Sequence, residues 1–170
     1  MNTRPVKEIT TIAAMTAIME AAKIALSFLQ NIELVSLLII LYTLHFGLKR
    51  TMASIYIFDG IETLIWGIGI WVISYLYVWP ILSLLTYLLR RYTSKGPFVL
   101  LSTLFGLSFG ALCALTTVVI GGPKMALSWW ITGIPYDLVH GAGNFTVAFL
   151  LFTPLTKAIV KVKEVFHLAA

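Results

Sequence analysis

Apolar residues run along this chain in stretches close to helix length. Short interruptions separate them: "QN", "KR", "GIGIW", "RRYTSKG" and "GGPKM". The stretches fall near residues 8–29, 32–48, 51–68, 72–89, 97–120 and 127–155. A hydrocarbon core of about 30 Å asks roughly 20 residues of a helix. The second and third stretches are a little short and would lean on flanking groups. No linker, low-complexity tract or soluble insert divides the chain, so residues 1–170 read as one six-helix domain.

Composition says which solvent these helices face. Hydrophobic residues make up 59% of the chain and charged residues 11%, with a mean hydropathy of +0.95. Soluble domains carry about 25% charged residues, so a water-facing globule of this sequence would lack polar cover. In a bilayer every backbone polar group must be paired internally, by helices or by a closed barrel. A barrel needs short strands of alternating polarity, and these runs are continuous. The expectation is an all-α, multi-pass bundle of six transmembrane helices in the cell membrane. No removable signal peptide is expected, because the first stretch lacks a small-residue cleavage site before a polar mature domain. Cys113 is the single cysteine, which excludes a disulfide framework or a thiolate metal site.

Lysine and arginine orient the bundle. With the N-terminus inside, Arg4, Lys7, Lys49, Arg50, Arg90, Arg91, Lys95, Lys157, Lys161 and Lys163 are cytoplasmic. Only Lys124 falls in an outer loop, and Lys23 lies within the first stretch. Both termini are therefore expected in the cytoplasm. The net charge of +5 needs no nucleic acid to explain it. All five tryptophans, Trp66, Trp71, Trp79, Trp129 and Trp130, fall toward the outer side. Trp71, Tyr75 and Trp79 recur at i, i+4, i+8 and share one helix face. That stripe reads equally as an interfacial anchor or as the wall of an outward-facing pocket.

Glu20, Lys23, Asp59, Glu62, Asp137 and His140 fall in the middle portions of their stretches. Ionisable groups at that depth cost about 2.5–3.5 kcal/mol each on insertion scales and face the bundle interior or water. They form three local sets: Glu20 with Lys23, Asp59 with Glu62 and Trp66, and Asp137 with His140 and Asn144. Each set spans roughly 60° of helical arc. A register-fixing salt bridge, Lys23 with Asp59 or Glu62, suits the first set. Ligand contact is favoured for the third, which follows a Gly133–Pro135 break, since broken helices at membrane depth line cavities. A metal site is not expected, because the other histidines, His45 and His167, are remote in sequence.

Small residues form ladders. Ala13, Ala17, Ala21 and Ala25 step along the first stretch, and Gly106, Gly110 and Ala114 along the fifth. Such ladders let helices approach closely in lipid. The second suits internal packing. The alanines suit internal packing or a docking face for another membrane helix. No phosphate-binding loop, nucleophile elbow or zinc-protease pair is present, so no enzyme is expected. Any transport would draw on ions or on partner ATPases.

With these features in view, the chain resembles the S components of energy-coupling factor (ECF) transporters, six-helix membrane proteins that capture vitamins and related micronutrients. The resemblance covers nearly the whole chain. It is carried by "AAMTAIMEAAKIAL", "NIELVSLLIILYTLHFG", "WVISYLYVWPIL" and "GIPYDLVHGAGNF". It implies that Ala13, Ala17 and Ala21 pack on a transmembrane T subunit, which two ATPases power. It also implies a ligand site near the outer face, built from outer loops one, three and five and the later helices. Here those loops hold Asn31 and Glu33, residues 69–74, and residues 121–130. The candidate substrate-binding set is thus Asn31, Glu33, Asp59, Glu62, Trp66, Trp71, Tyr75, Trp79, Trp130, Asp137, His140 and Asn144. No cofactor is implied. The aromatic wall and the excess of acidic groups suggest a cobalamin-like or queuosine-precursor-like substrate. The competing class is a small proton- or sodium-coupled secondary transporter, with the midplane carboxylates as its relay. A ligand-free membrane scaffold is a third.

Overall fold

The computed structural model describes residues 4–166, and His167 lies outside that range. Five helical elements follow one another: α1 (Arg4–Ala25), α2 (Val35–Phe46), α3 (Leu48–Trp66), α4 (Ile70–Leu89) and α5 (Gly96–Phe166). There is no strand among the described residues. Two of the helices, α4 and α5, are long and apolar enough to cross a membrane.

The six apolar stretches emerge as five elements because α5 is bent rather than interrupted. Gly122 alone leaves helical geometry, at φ 78° and ψ 176°, a conformation that favours glycine. Pro123 follows, where a missing N–H costs nothing at the start of a helical arm. The two arms, 96–121 and 123–166, fold back antiparallel. Gly110 N–H meets the Asp137 carboxylate at 2.8 Å, Asn144 meets the Ser102 carbonyl at 3.2 Å, and Phe98 stacks on Phe152 at 5.6 Å. Gly106 brings backbone against backbone: a methyl group there would sit 2.9 Å from the Gly141 backbone.

Other boundaries differ from the sequence reading. Gly47, at φ 84°, is the whole connection between α2 and α3, and Lys49 and Arg50 belong to the first turn of α3. Helix α1 stops at Ala25, so the first loop covers residues 26–34, with Asn31 at φ 60°. The break expected at Gly133–Pro135 does not occur. Proline there removes one backbone donor, yet the helix carries through with helical dihedrals.

Helix α2 is the centre of the bundle. Its residues are apolar on every face, which is the pattern of an enclosed helix. Ile39, Ile40 and Leu41 are fully buried, and α1, α3, α4 and α5 all pack against α2. The outward faces of the surrounding helices are apolar too: Leu64, Leu88 and Val119 are largely exposed. An apolar exterior around a packed interior is what a chain solvated by lipid requires.

Candidate ligand-binding site

The first loop, the start of α2, α1, α3, α4 and both arms of α5 enclose a cavity of about 170 Å³. Its apolar wall is Val35, Phe58, Tyr75, Trp79 and Phe109, and its polar groups are Lys23, Asn31, Glu33 and His140. The aromatic side is a single packed unit. Trp71, Tyr75 and Trp79 pack edge to face along α4, with ring centroids 5.1 and 5.4 Å apart. Phe109 adds to it from α5, 5.4 Å from Trp79. Edge-to-face pairs contribute beyond their area burial, so this wall is held together by its own ring contacts.

Glu33 is held from one side. Its Oε2 accepts the Ser36 N–H at 2.8 Å, satisfying one of the unpaired donors at the start of α2. A carboxylate also suits the positive end of that helix. The other oxygen, Oε1, lies 3.4 Å from His140 Nε2. The His140 ring stands edge-on to Phe109 at 4.9 Å. Loop, helix and ring thus fix each other across the cavity.

Lys23 forms an ion pair with Glu62, joining α1 to α3. Its ammonium also lies 5.5 Å from the Tyr75 ring centroid and 5.6 Å from that of Phe58. Asp59 and Glu62 are almost completely buried. Both carboxylate oxygens of Glu20 and of Asp59 lack a hydrogen-bond partner among the described residues. Buried carboxylates are costly unless paired, so this corner is chemically incomplete around Lys23.

The cavity gathers five of the twelve residues read from sequence as substrate-binding: Asn31, Glu33, Tyr75, Trp79 and His140. The other seven lie elsewhere. Glu62 is behind the lining as the partner of Lys23, with Asp59 buried on the same helix. Trp71 sits above the cavity at the end of the aromatic stripe. Trp66 and Trp130 are exposed on the outside, where an indole finds lipid or an interface. Asp137 and Asn144 bond to neighbouring helical segments rather than line the cavity. The Asp137 carboxylate clips one arm of α5 to the other. The Asn144 amide donates to Ser36 Oγ and the Ser102 carbonyl. A helical stripe spans an arc wide enough that only His140 of the three reaches the opening.

The lining also includes Lys23, Val35, Phe58 and Phe109, outside the sequence-derived set. Lys23 carried a signal, a charge within an apolar stretch, and was read as a register pair. The three apolar residues carried none, because nothing in their type separates cavity wall from core. Ala13, Ala17 and Ala21 are exposed on α1, away from the cavity. No family model, curated protein or solved structure matches the chain.

Proposed function

We propose that this chain is the membrane-embedded substrate-capture subunit of an ECF-type importer. In this reading six spans cross the cell membrane, α1 to α4 and the two arms of α5, with both termini cytoplasmic. The observation that carries it is the cavity. A packed aromatic wall faces a small set of fixed polar groups, the composition expected of a small-molecule site. With the N-terminus inside, the cavity falls in the outer half of the bundle, beneath the 26–34 loop. Micronutrient would enter there and be released inward through a T subunit driven by two ATPases. The exposed Ala13, Ala17 and Ala21 ladder offers the T subunit a face of close approach.

Size narrows the substrate. Sites for drug-sized ligands run to about 300–1,000 Å³, and this cavity is about 170 Å³. A corrinoid is far too large for it. A one- or two-ring heterocycle, the size of a queuosine-precursor base, fits the volume and the flat wall. The test is to purify the protein in mild detergent and identify any retained small molecule by mass spectrometry. Co-purification of a membrane subunit and two ATPases is the expected companion result. Protein that binds no small molecule and recruits no ATPase would overturn the proposal.

The unpartnered carboxylates of Glu20 and Asp59 favour one alternative, a proton- or sodium-coupled transporter. Uptake by the protein alone in liposomes, driven by an ion gradient and lost in Asp59→Asn, would select that alternative.

A further inference from the structure

We infer that the cavity selects a small planar heteroaromatic cation, or a heterocycle with an amidine-type N–H edge, and that Glu33 is the group that reads that edge. The inference rests on the capture reading above and adds the chemistry of the ligand.

Three observations converge. The first is charge. Glu33 lines the cavity with Lys23, Glu62 pairs with that lysine, and Glu20 and Asp59 act on it electrostatically: four carboxylates against one lysine. Lys23 is matched by Glu62. Glu33 is then the carboxylate of the lining itself, and its cavity-side neighbour His140 balances it only when protonated. An anionic ligand would meet this excess of negative charge in a site of low dielectric, where like charges are most costly.

The second is direction. The Ser36 N–H fixes Oε2 of Glu33 at 2.8 Å, while Oε1 makes only a long 3.4 Å contact with His140. A carboxylate held from behind with one loosely engaged oxygen is prepared for a stronger donor. Charge-assisted N–H to carboxylate bonds shorten to about 2.7–2.9 Å. An amidinium or protonated ring nitrogen with an adjacent amino group supplies such donors in one plane.

The third is the protein's own example. The Lys23 ammonium rests near the faces of Tyr75 and Phe58 while paired to a carboxylate. This wall already accommodates one cation by ring electrostatics. The remaining wall, Trp79 and Phe109, offers the same surface to a second, flat one. The Trp79 indole N–H, buried and without an acceptor, is available to an acceptor atom on the ring.

The experiment is calorimetric titration of the full chain in detergent with two probes of similar size, 2,4-diaminopyrimidine and nicotinate. Diaminopyrimidine should bind and nicotinate should not. Glu33→Gln keeps the side-chain shape and removes the charge. It should weaken diaminopyrimidine about tenfold or more, the range for a lost hydrogen bond to a charged group, with the ligand-free melting temperature lowered only slightly, because the amide oxygen can still accept the Ser36 N–H. Nicotinate binding that is abolished by Tyr75→Ala would overturn the cation assignment while leaving the pocket intact. Diaminopyrimidine binding that is equal in Glu33→Gln and the parent would overturn the role of Glu33. If neither probe binds, the assignment of a cationic or amidine-edged ligand fails, while the capture reading is decided separately by the retained small molecule and the co-purifying subunits.

Discussion

Replacing Gly106 with alanine tests the packing that carries His140 to the cavity. The two arms of α5 touch there through backbone alone. An added methyl carbon would lie 2.9 Å from Gly141 Cα, Gly141 N and the His140 carbonyl oxygen. Carbon atoms pack best at about 3.5–4.0 Å, so the arms would have to part by roughly 0.6–1 Å. No flexible side chain stands at the contact to absorb the shift. Overpacking of this kind costs about 1–3 kcal/mol. At about 2–4 °C per kcal/mol for a chain of this size, melting should fall by about 2–12 °C. Because the clash includes His140 itself, the imidazole should move relative to Glu33, and ligand affinity should drop with stability. The control is Gly133→Ala on the same arm, where nothing lies within 4 Å of the added carbon. That change should be neutral or slightly stabilising, since alanine favours helix over glycine by about 1 kcal/mol. Melting curves and ligand titration on both variants in one detergent decide the matter. If Gly106→Ala melts with or above Gly133→Ala, the arms are not in backbone contact, and the placement of His140 argued from that contact is wrong.

Asp137 and His140 should separate cleanly despite sharing a helical turn. His140→Ala should weaken ligand binding more than tenfold with little change in ligand-free melting. Asp137→Ala should lower melting through loss of a charge-assisted bond worth about 1.5–3 kcal/mol, with affinity within a few-fold of the parent. The opposite assignment of effects would move the site down the helix. Ala17→Trp should leave ligand binding by the isolated chain intact while abolishing ATPase-dependent uptake, and a variant that fails to fold would make the ladder internal packing. Topology is checked in a Cys113→Ala background. A cysteine at Ser94 should react with membrane-impermeant reagent only from the cytoplasm, and one at Lys124 only from outside.

The general nature of the fold was legible in the pattern because it depends on local properties. Continuous apolar runs of helix length dictate helices, and a charged fraction of 11% leaves too little polar surface for water. The ionisable residues inside those runs pointed correctly to an interior of unusual polarity, since burying charge is costly and such residues gather where they find partners. Glu33 and Asn31 were reachable through their position in the loop between the first two apolar stretches, and Tyr75 and Trp79 through their spacing on one face.

What the pattern did not resolve was the rotation and depth of each helix. Asp137, His140 and Asn144 look equivalent as a stripe at i, i+3, i+7, yet they do three different things. Asp137 clips the arms, His140 lines the cavity, and Asn144 ties α5 to α2. Spacing fixes a shared face, whereas the neighbour that each residue meets depends on the crossing point set at Gly106 and Gly141. Phe58 and Phe109 entered the wall for the same reason: an aromatic residue is core or cavity according to what stands opposite. The sequence by itself therefore determined helices, an apolar exterior and the presence of interior charge, which are set by residue type and local period. Only the tertiary structure decided which charges pair, which face backbone and which line the cavity. Those outcomes turn on contacts between residues as distant as Glu33 and His140, and no local pattern records them.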